Sequence, residues 1–186
     1  MKKKIASMAV LLLMLFPMSG CGVIGSKANS MSVIYGATAV LSLLLLLGYC
    51  VTMHKRDRWF VLLFSSVAIV NTGYWALALS QTLEAALWAN RLSYLGSVFL
   101  PMSMMMILLN TTGLQYKRWL SAALAGLGAV VFVVAASPGY LDIYYKSVSI
   151  TTAGGITVLQ KEYGPWHCLY MVYLFLYFAA MIAVIA

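Results

Sequence analysis

The stretch MSVIYGATAVLSLLLLLGYCVTMHKRDR, Met31 to Arg58, decides the fold. Residues 31–53 hold no Asp, Glu, Lys or Arg and include the run Leu43 to Leu47, and a charged cluster, His54-Lys55-Arg56-Asp57-Arg58, follows at once. A helix that crosses the hydrocarbon core of a bilayer needs about 20 mostly apolar residues. A charge inside such a segment is costly, so charges collect where it ends. The stretch is a spanning helix with a basic stop.

Working outward, the same pattern recurs at 59–80, 87–109, 119–137 and 167–186, giving five spans with that at 31–53. Composition agrees. Hydrophobic residues make up 63% of the chain and charged residues 9%, against roughly 45–50% and about 25% in an ordinary soluble domain. A globule of 186 residues has too little interior to hide so much apolar surface. The expected fold is an all-α integral membrane protein, an antiparallel helix bundle. Trp59, Trp88, Trp119 and Trp166 stand near the span edges, where the bilayer interface favours the amphipathic indole.

The net charge of +8 does not indicate nucleic acid. Lys2, Lys3 and Lys4 sit at the start of the chain, and five more basic residues lie in two loops. Loops 54–58 and 110–118 carry Lys55, Arg56, Arg58, Lys117 and Arg118 in fourteen residues, while 81–86 and 138–166 carry only Lys146 and Lys161 in 35. An excess of Lys and Arg marks the cytoplasmic side, so the N-terminus and the segment 138–166 are expected outside.

Residues 1–20 read as a signal peptide: a basic start, an apolar stretch from Ile5 to Phe16, then Pro17. Met18-Ser19-Gly20-Cys21 is similar to a bacterial lipoprotein box, which makes Cys21 the candidate lipidation site, with an uncleaved anchor as the alternative. Residues 21–30 form a short linker. Cys21, Cys50 and Cys168 are far apart and show no metal-ligand or disulfide spacing. The insert 138–166 changes character. Val148 to Thr151 and Ile156 to Val158 alternate apolar and polar residues around Thr152 to Gly155, the pattern of a small β-hairpin.

From Arg56 onward the chain resembles the N-terminal seven-transmembrane sensor region of bacterial histidine kinases, also found on some diguanylate cyclases. Trp88, Asn90, Arg91, Tyr94, Gly96 and Pro101 in LWANRLSYLGSVFLPMSMMMILLNTTGL carry the resemblance, with Tyr163, Gly164 and Pro165 in KEYGPWHCLYMVYLFLYF. It implies a membrane-embedded sensory input module, residues 31–186, for a two-component or related signalling system. Five spans stand here against the family's seven, Ala179 to Ala186 is apolar to the last residue, and only His54 and His167 are histidines. The module is therefore expected to be incomplete and to lack its output domain. The alternative is a small membrane lipoprotein with a structural or transport-accessory role.

No nucleophile–base pair, phosphate-binding loop or carboxylate pair is present, so no catalytic residues, cofactor or metal site are expected. Met102, Met104, Met105 and Met106 could be soft-metal ligands, but methionine is also an ordinary apolar filler. The ligand-binding candidates are Arg91, Asn71, Trp75, Asp142, Glu162 and His167. Arg91 is the one basic residue within a span. It reads as a snorkelling anchor or structural ion pair, with an anion contact at the outer mouth as the functional alternative. Asn71 and Trp75 share a helix face and serve helix packing or a pocket wall. Asp142, Glu162 and His167 belong, with Lys146, Lys161 and several tyrosines, to the outer insert, where exposed loops commonly carry recognition. The expected partners are the lipid bilayer and an unidentified extracytoplasmic or membrane-borne ligand, with a homodimer as a further candidate.

The charge distribution makes a direct prediction. Topology reporters fused after Arg58 and after Arg118 should report cytoplasmic, and one fused near Thr152 extracytoplasmic. A cytoplasmic signal at Thr152 would reverse the assignment.

Overall fold

The computed structural model describes residues 27–153 and 155–186. The expected signal peptide and Cys21 lie outside the described residues, as does most of the linker. Among the described residues five helices are long and apolar enough to cross a membrane: α1 (Lys27–Thr52), α2 (Arg58–Leu79), α3 (Leu83–Thr111), α4 (Arg118–Ala135) and α5 (His167–Ile185). Between α4 and α5 stands one antiparallel hairpin, β1 (Tyr145–Ala153) paired with β2 (Ile156–Tyr163). The protein is an all-α transmembrane bundle with a small β-hairpin insert.

Polar residues set the helix ends. The Asp57 carboxylate accepts from the Trp59 backbone N–H at 2.8 Å and caps α2, while the Asp57 N–H donates to the Tyr49 hydroxyl of α1 at 3.1 Å. One aspartate thus starts α2 and ties the α1–α2 turn together. The Thr82 hydroxyl accepts from the Ala85 N–H and caps α3. That cap starts α3 at Leu83, before the expected 87, so the turn after α2 is only residues 80–82. At 29 residues α3 is roughly 44 Å long, more than the ~30 Å of a bilayer core. Its first turns rise beside the hairpin.

Pro101 lies inside α3 and lacks the N–H that would continue the helical bonding. The Tyr173 hydroxyl of α5 donates to the Val98 carbonyl one turn earlier, at 2.8 Å. The carbonyl that Pro101 leaves free is the preceding one, that of Ser97, so the Tyr173 bond ties α5 to α3 beside the proline. Around this point lies the main core of Trp59, Val98, Met102, Met106, Val131, Tyr173 and Tyr177. Met102 and Met106 are buried within it and Met104 is exposed, so these side chains point in different directions.

The most extensive helix pair is α2 with α3. Gly96 sits against the Ser66 carbonyl and Val70, where an added Cβ would lie 2.9 Å from the Val70 backbone nitrogen. Gly73 sits against Ser93, where a Cβ would lie 2.6 Å from the Ser93 backbone nitrogen. Small residues allow this approach, which is how helices associate in lipid without a hydrophobic driving force between them.

The hairpin strands are longer than the alternating segments alone indicated. Opposed pairs share a face, and Val148, Ile150, Lys161, Leu159 and Thr157 form the face toward the bundle. Gly155, with φ of +78°, supplies the left-handed conformation the tight turn needs. A bulge between Tyr145 and Ser147 interrupts the alternation, and Tyr144 and Tyr145 are both buried. The base of the hairpin closes through the Gly164 N–H to the Tyr144 carbonyl at 2.9 Å.

Overpacking a tight seam costs about 1–3 kcal/mol. Gly96→Ala should therefore lower the unfolding free energy of the purified protein in a detergent titration by about that amount, and Gly96→Val should prevent folding. Gly48→Ala, where an added Cβ meets nothing within 4 Å, should be neutral.

Candidate functional site

The hairpin lies over one end of the bundle and is fastened there. The Thr157 hydroxyl donates to the Ser80 carbonyl at the end of α2. Two positions beyond Leu159 on the same inner face, Lys161 reaches down to α3. Its Nζ donates to Asn90 Oδ1 at 2.9 Å, and Asn90 is itself only 5% exposed. The ammonium also stands 5.0 Å from the centre of the Tyr145 ring and 5.8 Å from that of Tyr94, within or near the range of a cation–π contact. Burial pushes the Lys161 pKa below the ordinary lysine value, because desolvation disfavours the charged form.

Tyrosines build the wall behind it. The Tyr94 and Tyr145 hydroxyls share a hydrogen bond at 2.6 Å, and the Tyr144 hydroxyl donates to that of Tyr94 at 3.3 Å. Burial, reinforced by bonding to Tyr94, raises the pKa values of Tyr144 and Tyr145, so both stay protonated. Tyr170 of α5 completes the group with its ring edge-on to Tyr94.

Below Lys161 is a pocket of about 130 Å³ lined by Tyr74 and Leu77 of α2, Asn90, Ser93, Tyr94 and Ser97 of α3, Lys161 and Tyr170. The Ser93 and Ser97 hydroxyls donate back to the Ala89 and Ser93 carbonyls. The remaining N–H donors are the Lys161 ammonium and the Asn90 amide, whose Oδ1 is engaged while its NH₂ can donate elsewhere, and the lining tyrosines add hydroxyls. Among the described residues no carboxylate lines the pocket. Asp57 caps α2 at the other end, and Glu84 lies in a separate cleft. Glu162 is on the outer hairpin face, accepting from the Ser147 hydroxyl at 2.9 Å, and Asp142 is in the exposed loop before β1.

The six residues singled out from the sequence are placed elsewhere. Arg91 fastens the end of α4: its Nε donates to the Ala136 carbonyl at 3.1 Å and its Nη2 to the Pro138 carbonyl at 2.8 Å. Its guanidinium lies between the rings of Trp88 and Tyr140, 4.7 and 4.5 Å from their centres. The hydrogen-bond partners are carbonyls rather than an acid, and a cation is favoured at a helix C-terminus. Arg91 also borders an open cleft of about 470 Å³ with Glu84, Trp88 and Tyr140. Trp75 packs on Gly36 of α1, where a Cβ would lie 3.0 Å from its Nε1. Asn71 is half-buried on α2, and neither it nor Trp75 lines the Lys161 pocket. His167 stacks on Tyr163 with ring centres 4.0 Å apart, at the edge of the tyrosine group. Asp142 and Glu162 are exposed, and neither lines the Arg91 cleft or the Lys161 pocket.

Neither Lys161, one of the charges of the outer insert, nor Asn90 is among the six binding candidates that the sequence offers. A signal was present. Asn90, Ser93, Tyr94 and Ser97 form a polar stripe at helical spacing in an apolar span, and strand alternation sends Lys161 inward with Leu159.

A family model described as the N-terminal 7TM region of histidine kinase matches residues 35–186. The chain belongs to this family. The match takes in all of α2 to α5, the hairpin and most of α1, so the Lys161 pocket lies within the matched region. Comparison with curated proteins and with solved structures found no match.

The Arg91 geometry carries a prediction. Two hydrogen bonds from one planar fork cannot be reproduced by an ammonium, and a hydrogen bond to a charged group contributes about 1.5–3 kcal/mol. Arg91→Lys should lower stability in detergent by roughly one such bond and Arg91→Met by more. Equal stability of wild type and Arg91→Met would remove the clamp.

Proposed function

We propose that this chain is the membrane-embedded sensory input module of a bacterial signal-transduction receptor, with the stimulus received in the pocket beneath the hairpin. The observation that carries this reading is Lys161: a desolvated cation held on the inner hairpin face over a pocket with no carboxylate, in a chain of the histidine-kinase 7TM family. An inward-facing charge in membrane-associated structure is expensive and typically functional.

On this reading the chain sits in the cytoplasmic membrane with its N-terminus and hairpin outside, as the bias of Lys and Arg between the loops indicates. The pocket touches α2, α3, β2 and α5 together, so an occupant that prefers one packing of these elements would shift their equilibrium by its differential affinity. Pro101 in α3 and the Tyr173 bond beside it lie about a turn or two further along the bundle, where a change in packing could be passed inward. The chain itself carries no catalytic step in this scheme. A kinase output, encoded with it or beside it, would convert the packing change into phosphotransfer.

The test uses the gene at its own locus. Deleting it, and separately introducing Lys161→Met, should each change the phosphorylation of the same response regulator, read on phosphate-affinity gels of cell extracts. Unchanged phosphorylation of every regulator in the deletion strain would sink the sensory reading.

A further inference from the structure

The pocket also has a chemistry of its own. Its charge is a single ammonium, that of Lys161, and among the described residues no acid neutralises it there. The Tyr94 and Tyr145 rings hold that ammonium from behind through their π faces, which localises the charge without cancelling it. Asn90 orients it through Oδ1 and keeps two amide protons. The site therefore presents one positive charge and two kinds of N–H donor at neighbouring positions, with Tyr74 and Leu77 opposite.

We propose that this pocket binds the carboxylate of a monoanionic organic acid, one oxygen on the Lys161 ammonium and the other on the Asn90 amide. A monoanion leaves the buried site neutral, whereas a dianion such as a phosphate monoester would bring an uncompensated charge into a desolvated space. Size agrees: about 130 Å³ is well below the 300–1,000 Å³ of a pocket for a drug-sized ligand and suits a small acid or the head group of a larger one. The tail of a larger acid would leave past Tyr74, which is 45% exposed on the flank of the bundle. The proposal rests on the sensory reading only for its purpose; the binding itself is independent of any output.

The experiment uses the purified chain in lipid nanodiscs and follows thermal unfolding. The probes are butyrate, a free water-soluble acid, and laurate, which partitions into the membrane. Butyramide and methyl laurate are their uncharged counterparts. At a concentration 100 times the Kd, a ligand of the folded state should raise Tm by about 5–10 °C. A saturable rise with butyrate supports a soluble acid, and one with laurate alone supports a membrane-borne fatty acid. The uncharged counterparts should give none. The decisive variant is Asn90→Asp, which places a carboxylate beside Lys161 from within. It should raise the Tm of the unliganded protein and abolish the response to the acids, whereas Lys161→Arg should retain a response. No rise with either acid, an equal rise with the uncharged compounds, or an undiminished rise in Asn90→Asp would each overturn the proposal. Binding without any change in regulator phosphorylation would leave this inference standing and remove the sensory reading, and the reverse pattern would do the opposite.

Discussion

The close approach of α2 and α3 is the constraint on which the rest of the structure depends. Helices in lipid gain nothing from hiding apolar surface from one another, so they must pack closely to associate. Here Gly73 meets the Ser93 backbone and Gly96 meets the Ser66 carbonyl and Val70. Those contacts fix the rotation and height of α3 against α2. They bring Tyr74 and Leu77 opposite Asn90, Ser93 and Ser97, and so define one side of the pocket before the hairpin is considered. They also direct the opposite face of α3 toward α4 and α5, where Val98, Met102 and Met106 build the core.

Polar groups then take over at the hairpin end. Arg91 joins α3 to the end of α4 through the Ala136 and Pro138 carbonyls. Thr157 joins the hairpin to the end of α2, and Lys161 joins it to α3. Each tie satisfies backbone or amide groups that would be costly to leave unpaired in low-dielectric surroundings. Arg91 and Lys161 reach α3 positions one residue apart in sequence, Arg91 itself and Asn90, yet they serve different purposes. The guanidinium is stacked and bonded on both sides by structural partners, whereas the ammonium faces a cavity. The family match to the 7TM region of histidine kinase spans both.

Membership of the class was legible in the residues. Apolar runs of spanning length fixed the number of helices to be expected, and all five are present near the expected bounds. The exceptions have local causes. Thr82 caps α3 early, so Leu83 to Ala86 join the helix, and the hairpin pairing extends to Tyr145 and Tyr163, beyond the short segments whose alternation is visible. The site was less legible. Arg91 is conspicuous as a charge inside an apolar run, while Lys161 stands between Gln160 and Glu162, where a lysine looks like ordinary hairpin surface.

By itself the sequence determined that the chain is a bundle of apolar helices, where those helices stop, and that a hairpin interrupts them before α5. These are properties of single segments: hydrophobic length, capping residues, strand alternation and the turn glycine each act within a few residues. Only the tertiary structure decided that Arg91 clamps the end of α4, that Trp75 belongs to the α1 contact, and that Lys161 meets Asn90. Lys161 and Asn90 are 71 residues apart. Their meeting depends on the bulge beside Tyr145, the register of β1 on β2, and the height at which the glycine seam sets α3 against α2. No local pattern encodes that product of three separate geometries, because the charge of Lys161 acquires its meaning only from what the fold leaves unpaired around it.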